Sequence, residues 1–197
     1  MPYKIAITGG IGSGKSVVSH LLRIMGVPVY DCDTQAKRLM NTSATLRTAL
    51  TEAVGTQAYG LDGCINRPYL ASFMFGHPER VSLINSIVHP AVRADFRDWA
   101  LRKTNPIVAV ESAILYEAGM EADVDAVVLV HAPLEIRLQR AMQRDGANEQ
   151  AIRNRIKSQM PDEELLHRAN YTILNNGQHS LIAQVRGLID MLTKENL

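Results

Sequence analysis

The chain has 197 residues, 46% of them hydrophobic, and 21 lysines and arginines stand against 20 aspartates and glutamates. That length supports one real hydrophobic core with room for an inserted subdomain, while the near balance of charge argues against a nucleic-acid footprint or a polybasic membrane anchor. No apolar run approaches the roughly 18 residues of a spanning helix; the N-terminus leads into a strand-like run and not a signal peptide; and the two cysteines, Cys32 and Cys64, lack metal-ligand spacing. A cytoplasmic protein with reduced thiols is expected, with neither nucleic acid nor membrane as a partner, as a monomer or small homo-oligomer.

The first element is strand-like, Tyr3-Lys4-Ile5-Ala6-Ile7-Thr8, and it runs into Gly9-Gly10-Ile11-Gly12-Ser13-Gly14-Lys15-Ser16. This is a complete G-x-x-x-x-G-K-[ST] string. Val18, Leu21, Leu22 and Met25 follow at i, i+3, i+4 and i+7, the spacing of a buried helix face. Strand, glycine-rich loop and helix form the context in which such a string holds phosphate. Backbone N–H groups curl around phosphate oxygens, the helix N-terminus adds positive potential, and Lys15 adds a mobile cation. Ser16 would offer its hydroxyl to Mg²⁺. A bound nucleoside triphosphate is expected.

A second strand run, 27–31, ends on Asp31, with Asp33 two residues on. If the strand persists, the two carboxylates project to one side, at the end of an open α/β sheet where ligands bind. One could orient or deprotonate an attacking hydroxyl and the other hold Mg²⁺ through water. Alternatively, Asp33 caps the helical pattern that follows it. Helical patterns then cover 39–54, 68–75 and 90–102, with a turn at Gly60-Leu61-Asp62-Gly63. His89-Pro90 reads as a helix opening with proline at its first position.

A third strand run, 107–111, closes on Glu111. If that strand lies beside the first, Glu111 emerges near the phosphate loop as a Walker-B-type acid; the alternative is a solvated strand end. Glu117 reads as an ordinary loop acid. After a fourth run, 126–131, comes a charge-rich excursion to about residue 167, where a closing lid would sit. In it Arg137, Arg140 and Arg144 share one helix face. Like charges so spaced repel by a few tenths of a kcal/mol per pair, so protein carboxylates or a polyphosphate should face them. A fifth run, 171–174, precedes Asn175-Asn176-Gly177, whose asparagines read as turn formers, though such a loop could touch a nucleotide base.

Apolar β-branched runs alternating with helices argue a three-layer α/β fold around a five-stranded parallel sheet. The expected organisation is a nucleotide-binding core of 1–36, 105–136 and 168–197, an inserted helical domain of 37–104 and a lid of 137–167. The sequence contains no N-K-x-D or D-x-x-G string of a GTP switch. Residue patterns leave the acceptor open, with a nucleoside monophosphate kinase or a nucleotide-gated adaptor as alternatives.

The chain resembles the dephospho-CoA kinases. The resemblance rests on Thr8 with the phosphate-loop string, Val29-Tyr30-Asp31-Cys32-Asp33, Asp62-Gly63 with Arg67, and Leu83-Ile84-Asn85 with His89-Pro90. Arg137 to Arg140, Gln159 and Asn175-Asn176-Gly177 extend it over most of the chain. It implies a P-loop kinase fold with a helical CoA-binding domain and a lid, and ATP-dependent phosphorylation of the ribose 3′-hydroxyl of dephospho-CoA, the last step of coenzyme A synthesis. It implies Asp33 as base, Lys15 as the loop lysine and Arg140 as the lid arginine on the ATP phosphates. Around ATP it implies Gly10, Ile11, Gly12, Ser13, Gly14, Ser16, Val17, Arg137, Arg144, Asn175 and Gly177. Asp31, Arg67 and His89 would face the acceptor, and Ser16, Asp33 and Glu111 would serve Mg²⁺. Three positions depart from the family pattern: Val17 for threonine, Ala113 for proline and Asn170 for aspartate.

Overall fold

A computed structural model describes residues 1–196. Five strands, β1 (Tyr3–Thr8), β2 (Val29–Asp31), β3 (Ile107–Glu111), β4 (Ala126–His131) and β5 (Tyr171–Leu174), form one parallel sheet in the order β2-β3-β1-β4-β5. The five strand runs expected from sequence are all present. β2 is shorter than its apolar run because Pro28, which has no N–H to donate, precedes it; its carbonyl still accepts from Ala109 N–H at 2.8 Å. Val27 instead donates to the Leu22 carbonyl at 2.9 Å.

The central strands are buried on both faces, as a parallel sheet requires. Ile5, Ile7, Ala109, Val128 and Val130 are wholly buried and pack with Val18 and Leu22 of α1 (Lys15–Ile24) and Val185, Leu188 and Leu192 of α9 (Leu181–Asn196). That core holds both flanks of the phosphate loop, β1 and α1. At the β2 edge, Tyr30 meets Trp99 edge-on, with ring centroids 5.5 Å apart.

Two compact units emerge: Met1–Asp31 with Trp99–Leu197, and Cys32–Asp98. The second holds α2 (Cys32–Thr42), α3 (Ala44–Val54), α4 (Arg67–Met74) and most of α5 (Pro78–Leu101). The single helical pattern expected over 39–54 is interrupted at Ser43, whose hydroxyl accepts from Leu46 N–H at 3.2 Å and caps α3. Asn66 caps α4 in the same way, accepting from Tyr69 N–H at 3.2 Å. His89-Pro90 does not open a helix. Pro90 lies inside α5, where it forfeits the bond its N–H would make to the Ser86 carbonyl. The helix starts twelve residues earlier, at a different proline, with Glu79 in its first turn.

Beyond β4 the first unit carries α6 (Leu134–Asp145), α7 (Glu149–Lys157) and α8 (Asp162–Arg168). Leu138, Ala141 and Ile152 form a small core of their own, and Ile11 of the phosphate loop packs against it. Among the described residues no helix is long and apolar enough to cross a membrane.

Candidate active site

The loop of residues 9–16 joins β1 to α1 at the C-terminal edge of the sheet. Gly14 stands before α1 in the left-handed region, φ 96°, and a Cβ there would lie 2.1 Å from Asn175 Nδ2. Both the torsion and the contact demand glycine. Lys15 Nζ donates to the carbonyls of Gly9 at 2.7 Å and Gly10 at 3.2 Å, folding the side chain back across the loop. Ser16 is exposed, and its hydroxyl donates to Glu111 Oε1 at 2.9 Å. Because β3 lies beside β1, with Glu111 in register with Ile7, the strand-end carboxylate emerges next to the loop.

Asp31 is in register with Glu111 on the neighbouring strand, so both carboxylates occupy one face of the sheet edge. Asp33 does not join them as a strand neighbour. The strand stops at Asp31 and α2 starts at Cys32, so the i, i+2 argument for a shared face fails. Asp33 is not the residue before the helix either. It is exposed within the first turn of α2, where a carboxylate is favoured by the helix dipole. Arg67 is exposed at the start of α4 and His89 is half-buried within α5. All three belong to the Cys32–Asp98 unit.

The three arginines of α6 have three different partners. Arg137 is 2% exposed, and its Nη1 donates to Asp162 at 2.5 Å. Its guanidinium also packs against the loop: a Cβ on Gly10 would lie 2.3 Å from Nη1. Arg144 donates to Asp145 through two nitrogens at 2.7 and 3.1 Å. Hydrogen bonds from Arg144 and then Arg155 hold the Asp145 carboxyl well below the usual carboxylate range. Arg140 alone of the three faces an amide, donating to Asn175 O at 3.2 Å and Asn175 Oδ1 at 3.3 Å. Among the described residues, the repulsion inherent in the spacing is thus relieved by protein carboxylates at Arg137 and Arg144 and not at Arg140.

Two carboxamides hold the loop from outside. Gln159 Oε1 accepts from Ile11 N–H at 2.8 Å, and Gln159 Nε2 donates to the Ala113 carbonyl at 3.4 Å. Asn175 Nδ2 donates to the Ser13 carbonyl at 2.8 Å. Residue patterns alone read Asn175 as a turn former or a contact to a nucleotide base, and the resemblance places it around ATP; Gln159 enters only among the residues that carry the resemblance. Only Asn176 makes the turn, its side-chain oxygen accepting from Gln178 N–H at 3.0 Å, with Gly177 following at φ 82°. Ser13 is fully buried, and its hydroxyl has no hydrogen-bond partner among the described residues. Asn170 retains the acceptor of the aspartate it replaces: its Oδ1 takes Val127 N–H at 2.8 Å, at the start of β5. Val17 points outward, half exposed.

Comparison with known proteins matches residues 3–180 to the family model described as dephospho-CoA kinase. A dephospho-CoA kinase of Bacteroides fragilis is 46% identical over 193 residues, covering 98% of this chain and 94% of the relative. The crystal structure of TT1252 from Thermus thermophilus superimposes with a TM-score of 0.79 at 38% identity, covering 98% of this chain and 97% of that one. Shikimate kinase from Acinetobacter baumannii, at 20% identity and a TM-score of 0.57 over 100% of this chain and 96% of its own, shares the fold alone. The match over most of the length, on a five-stranded P-loop kinase sheet, makes the relationship plain: the chain belongs to the dephospho-CoA kinase family.

Proposed function

We propose that this protein transfers the γ-phosphoryl group of ATP to the ribose 3′-hydroxyl of dephospho-CoA, giving coenzyme A and ADP. The observation that carries the reading is the phosphate loop with its lysine, serine and strand-end glutamate, in a chain 46% identical to a protein named for that activity. Loop N–H groups and Lys15 receive the polyphosphate, and Arg140 adds a second cation as charge shifts toward the leaving ADP. The hydroxyl oxygen bonds to the γ-phosphorus as the bond from that phosphorus to the bridging oxygen of ADP breaks. Asp33 accepts the hydroxyl proton. Its position in the first turn of α2, two residues beyond the sheet edge, supports this role over that of Asp31, which is in register with Glu111. Arg67 and His89 contact the acceptor, with Asp31 nearby.

The Ser16–Glu111 pair fits Mg²⁺. Both contribute hard oxygens at an exposed edge, and among the described residues no cluster of three or more acidic, histidine or cysteine ligands forms a closed cage. Mg²⁺ favours such sparse sites, keeping waters and sharing substrate phosphates. Ser16, Glu111 and Asp33 would hold or orient it, and when bound it would supply charge neutralisation for the substrate phosphates.

The test is ATP consumption with dephospho-CoA, AMP, CMP and shikimate offered separately. Turnover with dephospho-CoA alone is expected. Strong turnover of a nucleoside monophosphate, with none of dephospho-CoA, would replace this reading by a nucleoside monophosphate kinase.

A further inference from the structure

Asn175 is 9% exposed and every polar group of its amide and carbonyl is engaged. Its backbone N–H donates to the His131 carbonyl at 2.7 Å, fixing it at the ends of β4 and β5. Its Nδ2 reaches across 162 residues of sequence to the Ser13 carbonyl at 2.8 Å, in a buried bond. Its two oxygens accept from the two terminal nitrogens of Arg140 at 3.2 and 3.3 Å. Gly14 backs directly onto the same side chain.

The orientation of this amide is dictated by its partners. Ser13 O can only accept and the Arg140 guanidinium can only donate, so nitrogen must face the loop and oxygen the arginine. Asparagine alone meets both demands at this length. Aspartate would set a carboxylate oxygen against a carbonyl and clamp Arg140 in an ion pair. Leucine would leave a buried carbonyl unpaired.

We propose that Asn175 is a positioning residue for the nucleotide phosphates. Through Ser13 it fixes the second half of the loop, and through its oxygens it holds Arg140 beside that same corner in a neutral grip, which a polyphosphate can outcompete. This deepens the proposed function and rests on the assignment of the loop to ATP phosphates.

The experiment measures equilibrium binding of ADP with Mg²⁺, and steady-state kinetics, for Asn175→Asp, Asn175→Leu and Lys15→Ala. Loss of a buried bond of this kind weakens binding by about tenfold or more. Both Asn175 variants are therefore expected to bind ADP at least tenfold more weakly and to lose kcat/KM for ATP in proportion. KM for dephospho-CoA should stay within about twofold of wild type, a split that a merely structural role would not produce. The losses from Asn175→Leu and Arg140→Ala should combine to less than their product, since each breaks the same contact. Wild-type ADP affinity in either folded Asn175 variant overturns the inference. Losses that fall equally on ATP and dephospho-CoA, with a lowered Tm, also overturn it, as do losses from the two substitutions that multiply in full. Lys15→Ala separates the two levels. If it loses ADP while the Asn175 variants keep it, only this inference fails; if it too binds ADP normally, the phosphate-loop reading fails.

Discussion

Each unit of the chain is braced internally by polar bonds, and the two sets differ greatly in reach. In the Met1–Asp31 and Trp99–Leu197 unit, the phosphate loop is tied to residues 95, 148 and 162 positions away, through Ser16–Glu111, Ile11–Gln159 and Ser13–Asn175. In Cys32–Asp98 the polar bonds are mostly local caps and turns, such as Ser43–Leu46, Asp62–Cys64 and Asn66–Tyr69. Arg38 and Asp95, 57 positions apart in sequence, form a partly exposed ion pair at 2.7 Å. This unit's acceptor-side candidates Asp33 and Arg67 are exposed. The difference is a division of labour. Electrostatic stabilisation works when donors are held in place before charge develops, so the phosphate end is cross-braced.

Substitutions sharpen this contrast by failing in different kinetic parameters. The largest effect is expected at Lys15. Lys15→Ala removes the cation from the loop without touching the core, and it should abolish measurable transfer, a loss of several kcal/mol, while thermal unfolding stays close to wild type. Turnover like wild type by the folded variant would dissolve the phosphate-end half of the contrast. Arg140→Ala comes next: about a 100-fold loss in kcat/KM for ATP, with KM for dephospho-CoA unchanged. A shift in Tm with normal kinetics would make Arg140 a structural residue. The smallest effect belongs to the other unit. Arg67→Ala should raise KM for dephospho-CoA roughly tenfold, about 1.4 kcal/mol, with KM for ATP unaltered. If ATP suffered equally, the division between the units would be false.

What could be read from the sequence follows the range of the interactions. The phosphate loop is legible because its conformation is written locally, in glycines that reach left-handed torsions and in the helix that begins at Lys15. Glu111 is legible because apolar runs mark strands, and the end of a parallel strand has a known address. The bonds by which Asn175 and Gln159 hold the loop are not legible in the sequence, since an amide's meaning depends on which carbonyl or N–H lies opposite, and those partners are remote in the chain. Arg137 illustrates the same limit. Its spacing showed that something anionic should face it but left open whether that was phosphate or protein, and the folded chain supplies Asp162. Pro90 shows a local cue overruled. Proline favours a helix's first turn, yet α5 accepts it in its interior, where the apolar positions Ile84, Val88, Val92 and Phe96 remain buried on either side.

In the proposed reaction a preformed phosphate site works on a hydroxyl whose proton Asp33 accepts. Asp33→Asn tests it most directly, with ATP and dephospho-CoA affinities measured by equilibrium binding and kcat by steady-state turnover. The expected result is near-normal affinity for both ligands with kcat reduced by about 10²- to 10⁴-fold, the signature of a proton acceptor used only in the transition state. Unchanged kcat in the folded variant would contradict the claim.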